Sequence, residues 1–197
     1  MENLEKYLKY YFLEDYLFND VHKNFKNYGY LKPEEFLMIV IWKSNRAKTK
    51  FKIKSRGKLN AEKIETTTKE LHSLAKNCEE NERKILDVIT GLSGVGIPVA
   101  SAIITVCYPN YFTIVDYRAK TSLIKYLNHK KGIGSDYKKI FGADPQSSKK
   151  AYLAYCRLCR HETEKLKITL RDFDRMLFGM DFYNGKNGLR DLVKELK

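Results

Sequence analysis

The chain has 197 residues, 43% of them hydrophobic, and its 37 Lys+Arg against 24 Asp+Glu give a formal net charge of +13. That length suits one domain or a tight pair of small lobes around a real core, and no apolar run approaches the ~20 residues that cross a bilayer, so a membrane protein is not expected. The start MENLEKYLKYYF lacks the pattern of a secretory signal, which points to the cytoplasm, and the excess of cations favours polyanions, nucleic acid first, beside the plainer role of keeping the protein soluble.

Apolar residues recur at three and four positions nearly throughout, and alternations long enough for strands are few, so the expected fold is all-α. A first helical segment, from Leu4 to about Phe25, is crowded with Tyr7, Tyr10, Tyr11, Phe12, Tyr16 and Phe18 and ends in a turn around Asn27 to Tyr30. Pro33 opens a second helix, with Glu34 and Glu35 complementing its dipole, and FLMIVIW carries it to about Trp42. Lys43 to Lys58 then holds eight cations in sixteen residues and no acid, and reads either as a solvated loop or as a segment lying on phosphate. Asn60 caps a third helix to about Asn77, and the acidic turn CEENE leads into a fourth from about Glu82 to Thr90.

Beyond it a helix covers about Val99 to Cys107 and stops at Tyr108-Pro109-Asn110; Asp116 begins the next, to about Leu127. Asn128 to Gly142 reads as a basic loop with one short helical turn, Asp144-Pro145 as cap and first turn of a long helix to about Glu164, and Thr169 with Asp172 as a capping box for Leu170 to about Met180. The expected division is a central lobe of about 45–140, containing the helical hairpin at 82–107, and a second lobe made from 1–44 plus 141–197. Cys78, Cys107, Cys156 and Cys159 are too few and scattered for a disulfide framework and read as free thiols. Cys156 and Cys159 have metal-ligand spacing, with His161 just beyond, but no second pair completes a zinc site.

The most specific stretch is Leu92-Ser93-Gly94-Val95-Gly96-Ile97-Pro98-Val99-Ala100. Gly94 and Gly96 suit left-handed or otherwise strained backbone, Val95 tucks inward, and a helix starts at Pro98, which together make a tight helical hairpin. Its turn precedes a helix N-terminus, so unpaired amides in a positive dipole end suit one phosphate oxygen, gripping a backbone without reading sequence. The alternative is an ordinary glycine turn between helices.

With its hairpin LSGVGIPVASAI, and with Asp116 twenty residues past Gly96, the chain resembles the helix-hairpin-helix superfamily of DNA glycosylases, the group of endonuclease III-like, 8-oxoguanine and 3-methyladenine glycosylases. The resemblance covers roughly residues 82 to 127. It implies a single glycosylase-like domain, 1–197, two-lobed with a cleft between the lobes, that binds double-stranded DNA and is associated with the nucleoid. Gly94, Val95, Gly96 and Ile97 would hold a DNA phosphate and Asp116 would be the catalytic carboxylate. A carboxylate near C1′ stabilises positive charge developing on the sugar and orients water; the competing role for Asp116 is a helix N-cap alone.

Family members that use an amine nucleophile carry lysine where Pro98 stands here, so an active protein would be monofunctional and use water. Lys120 could approach the same cleft or pair with Asp116 at i,i+4. Two cysteines, Cys156 and Cys159, do not meet the family's four-cysteine iron-sulfur pattern, so no cofactor is expected. The resemblance nominates Trp42, Lys43, Ser44, Asn45 and Arg46 for the base pocket or wedge, Trp42 serving equally as a core residue, and Thr90, Leu92 and Val95 for a monovalent cation on their carbonyls. The readings that remain are a monofunctional base-excision glycosylase, a non-catalytic DNA-binding scaffold, and a basic helical protein that binds RNA or protein.

Overall fold

The computed structural model describes residues 12–44, 48–131, 137–185 and 188–195, all of them helix, turn or irregular backbone with no strand. The chain is all-α. Its contacts group into two units, Met1–Pro109 and Asn110–Lys197.

In the first unit, α1 (Leu13–Tyr16) runs through a π-helical stretch, Leu17–Val21, into α2 (His22–Tyr28). Tyr7, Tyr10 and Tyr11 lie outside the described residues. Gly29 ends α2 at φ 77°, a left-handed angle that an L side chain adopts at a cost. Helix α3 (Pro33–Ser44) starts where proline and the acids place it. Glu35 does more than complement the dipole: buried, it accepts from the Lys32 amide at 3.0 Å, the return half of a capping box, and from Asn24 Nδ2 at 2.8 Å.

The basic block departs from the loop reading, because residues Lys48–Ser55 form a helix, α4. Phe51 and Ser55, four apart, share the face turned inward, half-buried and buried, and tertiary packing there overrides the repulsion among lysines. Helix α5 (Ala61–Leu74) begins at Asn60, whose side chain accepts from the Lys63 amide at 2.9 Å, and tightens into a 3-10 turn, Ala75–Asn77. Helix α6 (Cys78–Thr90) starts four residues before Glu82, because Glu79 and Glu80 form its first turn, where acids are favoured, instead of a preceding loop. Helix α7 (Ile97–Cys107) is apolar almost all round and correspondingly buried from Ala100 to Cys107. It packs against α2, α3, α6 and the π-helical stretch. Each fully buried isoleucine there, Ile103 and Ile104, contributes roughly 1.5–3 kcal/mol.

In the second unit, α8 (Tyr117–Lys131) outlasts its expected end at Leu127, and α9 (Tyr137–Phe141) supplies the short helical turn. Helix α10 (Lys149–Leu166) is capped by Ser148, not Asp144. Asp144 stands one turn earlier, its carboxylate accepting from the Gln146 amide at 2.9 Å and its carbonyl from those of Ser147 and Ser148. Thr169 caps α11 (Leu170–Asn184), accepting from Asp172 N at 3.0 Å, and α12 (Leu189–Glu195) follows, a helix the periodicity did not reveal. Helix α11 packs on α8, α10 and α12. Cys156 and Cys159 form no disulfide and are buried in α10, whereas His161 is exposed, so the three do not converge as ligands. Among the described residues no helix is long and apolar enough to cross a membrane.

Candidate nucleic-acid interface and candidate carboxylate

Helices α6 and α7 are joined by residues 91–96. The Val95 amide donates to Leu92 O at 3.0 Å, closing a β-turn over Leu92 to Val95. Gly94, its third residue, has φ 88°, and no other residue of the turn has positive φ, the signature of a type II turn, which asks for glycine at that place. Gly96 differs from expectation: at φ −87° and ψ 173° it is extended backbone that any residue adopts, and it serves as the N-cap of α7. Leu92, Val95 and Ile97 turn their side chains inward and are buried, while Gly96 is exposed. Ile97, one residue before Pro98, is the first helical residue, and its amide is one of the orphan donors of any helix start.

The four residues nominated for phosphate do not act alike. The Val95 amide is already spent on Leu92, so Val95 contributes through its buried side chain. Among the described residues no acceptor meets the amides of Ser93, Gly94, Gly96 and Ile97. The Gly96 and Ile97 amides open α7 at the positive end of its dipole, where an anion is favoured, and those of Ser93 and Gly94 belong to the turn just before it. Of the residues nominated for a monovalent cation, Leu92 offers a carbonyl already engaged by Val95, and Thr90 turns its hydroxyl back to Leu86 O at 2.7 Å.

Helix α4 lies against this turn, which the sequence did not reveal. The Ser93 hydroxyl donates to Lys54 O at 2.9 Å, covering a carbonyl in the last turn of α4, and a Cβ built on Gly94 would stand 3.3 Å from the Phe51 ring. Lys52, Lys54, Arg56 and Lys58 are exposed around it, so the cationic block and the unpaired amides occupy one region. The base-pocket nominees fare differently. Trp42 is half-buried with its ring edge-on to Phe18, centroids 5.7 Å apart, which is a packing role; Lys43 and Ser44 end α3, half-buried; Asn45 and Arg46 lie outside the described residues.

Asp116, in the second unit, is the last residue of an irregular segment and sits half-buried immediately before α8. Its Oδ1 accepts from the Ala119 amide at 2.8 Å, so the N-cap role is real. The segment leading to it is buried from Phe112 to Val115 and is held from α10. Tyr152 donates to Thr113 O at 3.0 Å, Tyr155 to Ile114 O at 3.3 Å, and Arg160 to Tyr111 O at 2.7 Å while covering the Tyr111 ring. Burial, then the neighbouring charges of Cys159, Asp174, Cys156 and Asp116, pushes the Tyr155 hydroxyl well above its ordinary value, so it stays a neutral donor. Lys120 is buried and its Nζ donates to Asp144 Oδ2 at 2.8 Å, an ion pair between residues far apart in sequence that the i,i+4 expectation did not contain. Burial raises the Asp144 carboxyl, and the hydrogen bonds from Lys120 and Gln146 with the lysine's charge outweigh it, leaving it below the usual range.

These three fixings were legible only in part. Tyr152, Tyr155, Cys156 and Cys159 do fall at i, i+3, i+4 and i+7, the mark of a buried face, but nothing local announces that the hydroxyls meet backbone carbonyls some forty residues earlier. Compared with protein-family models, characterised proteins and solved structures, the chain matches none.

Proposed function

We propose that the chain is a monofunctional DNA glycosylase that binds duplex DNA through the α6–α7 helix-hairpin-helix element and hydrolyses the N-glycosidic bond of a damaged base with Asp116. The observation that carries the DNA-binding part is the group of four unspent amides, on Ser93, Gly94, Gly96 and Ile97, at a helix N-terminus bordered by an acid-free cationic helix. Such donors take a phosphate oxygen without regard to base, and the net charge of +13 speeds the encounter.

For the chemistry, the carboxylate is held in one rotamer by the Ala119 amide on a segment tied down at three carbonyls. A fixed negative charge lowers the barrier to an oxocarbenium-like sugar because no reorganisation is required when the charge develops. The same carboxylate orients the attacking water. Proline at position 98 offers no amine for a Schiff base, which assigns the nucleophile to water.

The test is incubation with duplexes carrying single oxidised, alkylated or deaminated bases, scored for abasic sites. Release by the wild type that disappears in Asp116→Asn, with DNA binding kept, supports catalysis. Binding by both proteins without release from any lesion sinks the enzyme reading and leaves a DNA-binding scaffold. Gly96→Asp, which puts a carboxylate among the amides, weakens binding to every duplex alike; unchanged affinity sinks the phosphate role.

A further inference from the structure

Helix α11 turns one side away from its own unit. Phe173, Asp174 and Leu177 are buried, while Met176, Phe178, Phe182 and Tyr183 are 45–59% exposed. Spacings of three, four and seven put these four side chains on one arc of the helix, with Gly179 in its middle. Glycine is a poor helix former, and a place inside a helix suits it only where something needs the room. Among the described residues nothing does, for Gly179 has no positive φ and a Cβ built on it meets no atom within 4 Å. The missing side chain leaves a gap between exposed aromatics where another backbone can come close.

Helix α12 extends this surface. A Cβ on Gly188 would stand 2.9 Å from the Phe182 carbonyl oxygen, so α12 leaves the corner beside Phe182. Every residue of α12 is exposed, with Leu189, Leu192 and Val193 at i, i+3 and i+4, and so short a helix is marginal in water without packing. Charge sets the region apart. Between 170 and 195, Arg171, Arg175, Lys186, Arg190 and Lys194 balance Asp172, Asp174, Asp181, Asp191 and Glu195, in a chain whose net charge is +13. A neutral face draws neither nucleic acid nor an anionic lipid surface, and it does not repel its own copy. At 150–250 Å² for each aromatic, about half of it exposed, Phe178, Phe182 and Tyr183 offer roughly 300 Å², and the exposed aliphatic chains bring the face to about 600 Å². That is the upper end of what a monomer leaves uncovered, and most of the ~800 Å² each partner gives to a standard interface.

We propose that α11 and α12 form a homodimer interface in which two copies of the chain cross at Gly179 about a twofold axis. A residue on such an axis meets its own counterpart, so the closest approach of the two backbones falls where the side chain is smallest. Phe178, Phe182 and Tyr183 pack around the crossing, and the balanced charges lie at its rim. The dimer depends neither on DNA binding by the α6–α7 turn nor on the role of Asp116.

The experiment is sedimentation equilibrium of the full chain. Wild type is a dimer at about 100 μM, and because each copy carries +13 the dimer tightens as salt rises from about 50 to 500 mM and screens that repulsion, the reverse of a phosphate contact. Phe182→Asp alters an exposed side chain, so helicity and thermal midpoint stay, yet the dimer weakens by about a hundredfold or more. Gly179→Ala separates the two roles of that position: in the monomeric Phe182→Asp background it raises the thermal midpoint, and in the wild type it weakens the dimer about tenfold. Gly179→Cys links two copies by a disulfide under mild oxidation, which wild type does not, because only a residue near the axis comes close enough to its own counterpart. A wild type that is monomeric at both salts overturns the proposal, whatever else Phe182 binds, phosphatidylcholine vesicles included. A dimer that withstands Phe182→Asp overturns it as well.

Discussion

The two glycines of the α6–α7 turn look equivalent in sequence, yet alanine should cost clearly more stability at Gly94 than at Gly96. Gly94 has φ 88°, where an L residue costs about 1–2 kcal/mol, and its new Cβ would stand 3.3 Å and 3.4 Å from Phe51 ring carbons and 3.5 Å from the Phe51 carbonyl oxygen. Stiffening the unfolded chain returns about 0.4–1 kcal/mol, so the backbone effect nets to a loss of roughly 0–1.6 kcal/mol before the ring has to yield. A destabilisation of about 1–2 kcal/mol follows for Gly94→Ala. Gly96, with φ −87°, has only Pro98 Cδ near its would-be Cβ, at 3.9 Å, which is ordinary contact. Stiffening the unfolded chain gives about 0.4–1 kcal/mol, but Gly96 is the N-cap of α7, where glycine is preferred to alanine by a similar amount, so Gly96→Ala stays within about 0.5 kcal/mol of wild type. Urea unfolding followed by circular dichroism separates the two through their midpoints, provided the denaturant slopes stay equal. Gly94→Ala as stable as Gly96→Ala would refute the type II turn and with it the presentation of the amides.

Asp116 yields a cleaner dissection than most candidate catalytic residues: Asp116→Ala loses the cap to Ala119 and about 1 kcal/mol, while Asp116→Asn keeps the cap and nearly all the stability, read by the same unfolding assay. Tyr152→Phe leaves the buried Thr113 carbonyl without its donor and costs about 1–3 kcal/mol, more than Tyr155→Phe, whose bond is 0.3 Å longer (3.3 against 3.0 Å); equal and negligible losses would show that the segment before Asp116 is not held from α10. His22 donates from Nδ1 to Val106 O at 2.9 Å, and its pKa is lowered, chiefly by burial and also by Lys26, against the raising effect of the Val106 and Cys107 backbone. Folding therefore favours the neutral ring: the stability it contributes is complete above the unfolded value of about 6.5 and is lost as pH falls from there through the lower folded value. Urea midpoints between pH 8 and pH 5 should drop accordingly, and His22→Asn should flatten that drop; a midpoint that rises on acidification would contradict the sign.

Much of the fold could be read from periodicity and capping residues because those signals are local. Pro33 with two acids, Asn60, and Thr169 with Asp172 each marked a helix start that the backbone obeys. Misreadings arose where distant packing decided. Eight cations without an acid suggest a solvated loop, but Phe51 and Ser55 supply an inward face, and the turn at Ser93 and Gly94 supplies something to dock on, so Lys48–Ser55 is helical. CEENE reads as an acidic turn leading into a helix, yet its glutamates are favoured in a first helical turn, where they meet the positive end of the dipole. Asp144 carries cap chemistry but spends it on the Gln146 amide and on buried Lys120, and the cap passes to Ser148.

The candidate site divides along the same line. The turn between α6 and α7 is legible because its glycine and its apolar residues act within a few positions of themselves, and even there sequence gives Gly94 and Gly96 one explanation when backbone geometry gives them two. Asp116 is legible as a cap for the same reason. What fixes the residues before it is not local: carbonyls 111, 113 and 114 are bound by Arg160, Tyr152 and Tyr155, all on a helix that begins more than thirty residues later. Irregular backbone has no internal hydrogen-bond ladder, so its buried carbonyls must find donors elsewhere, and neutral tyrosines in a buried helix face provide them without importing charge. The placement of the carboxylate is thus a property of α10 as much as of the segment that bears it, and substitutions at Tyr152 or Tyr155 should disturb Asp116 before they disturb any residue of the α6–α7 turn.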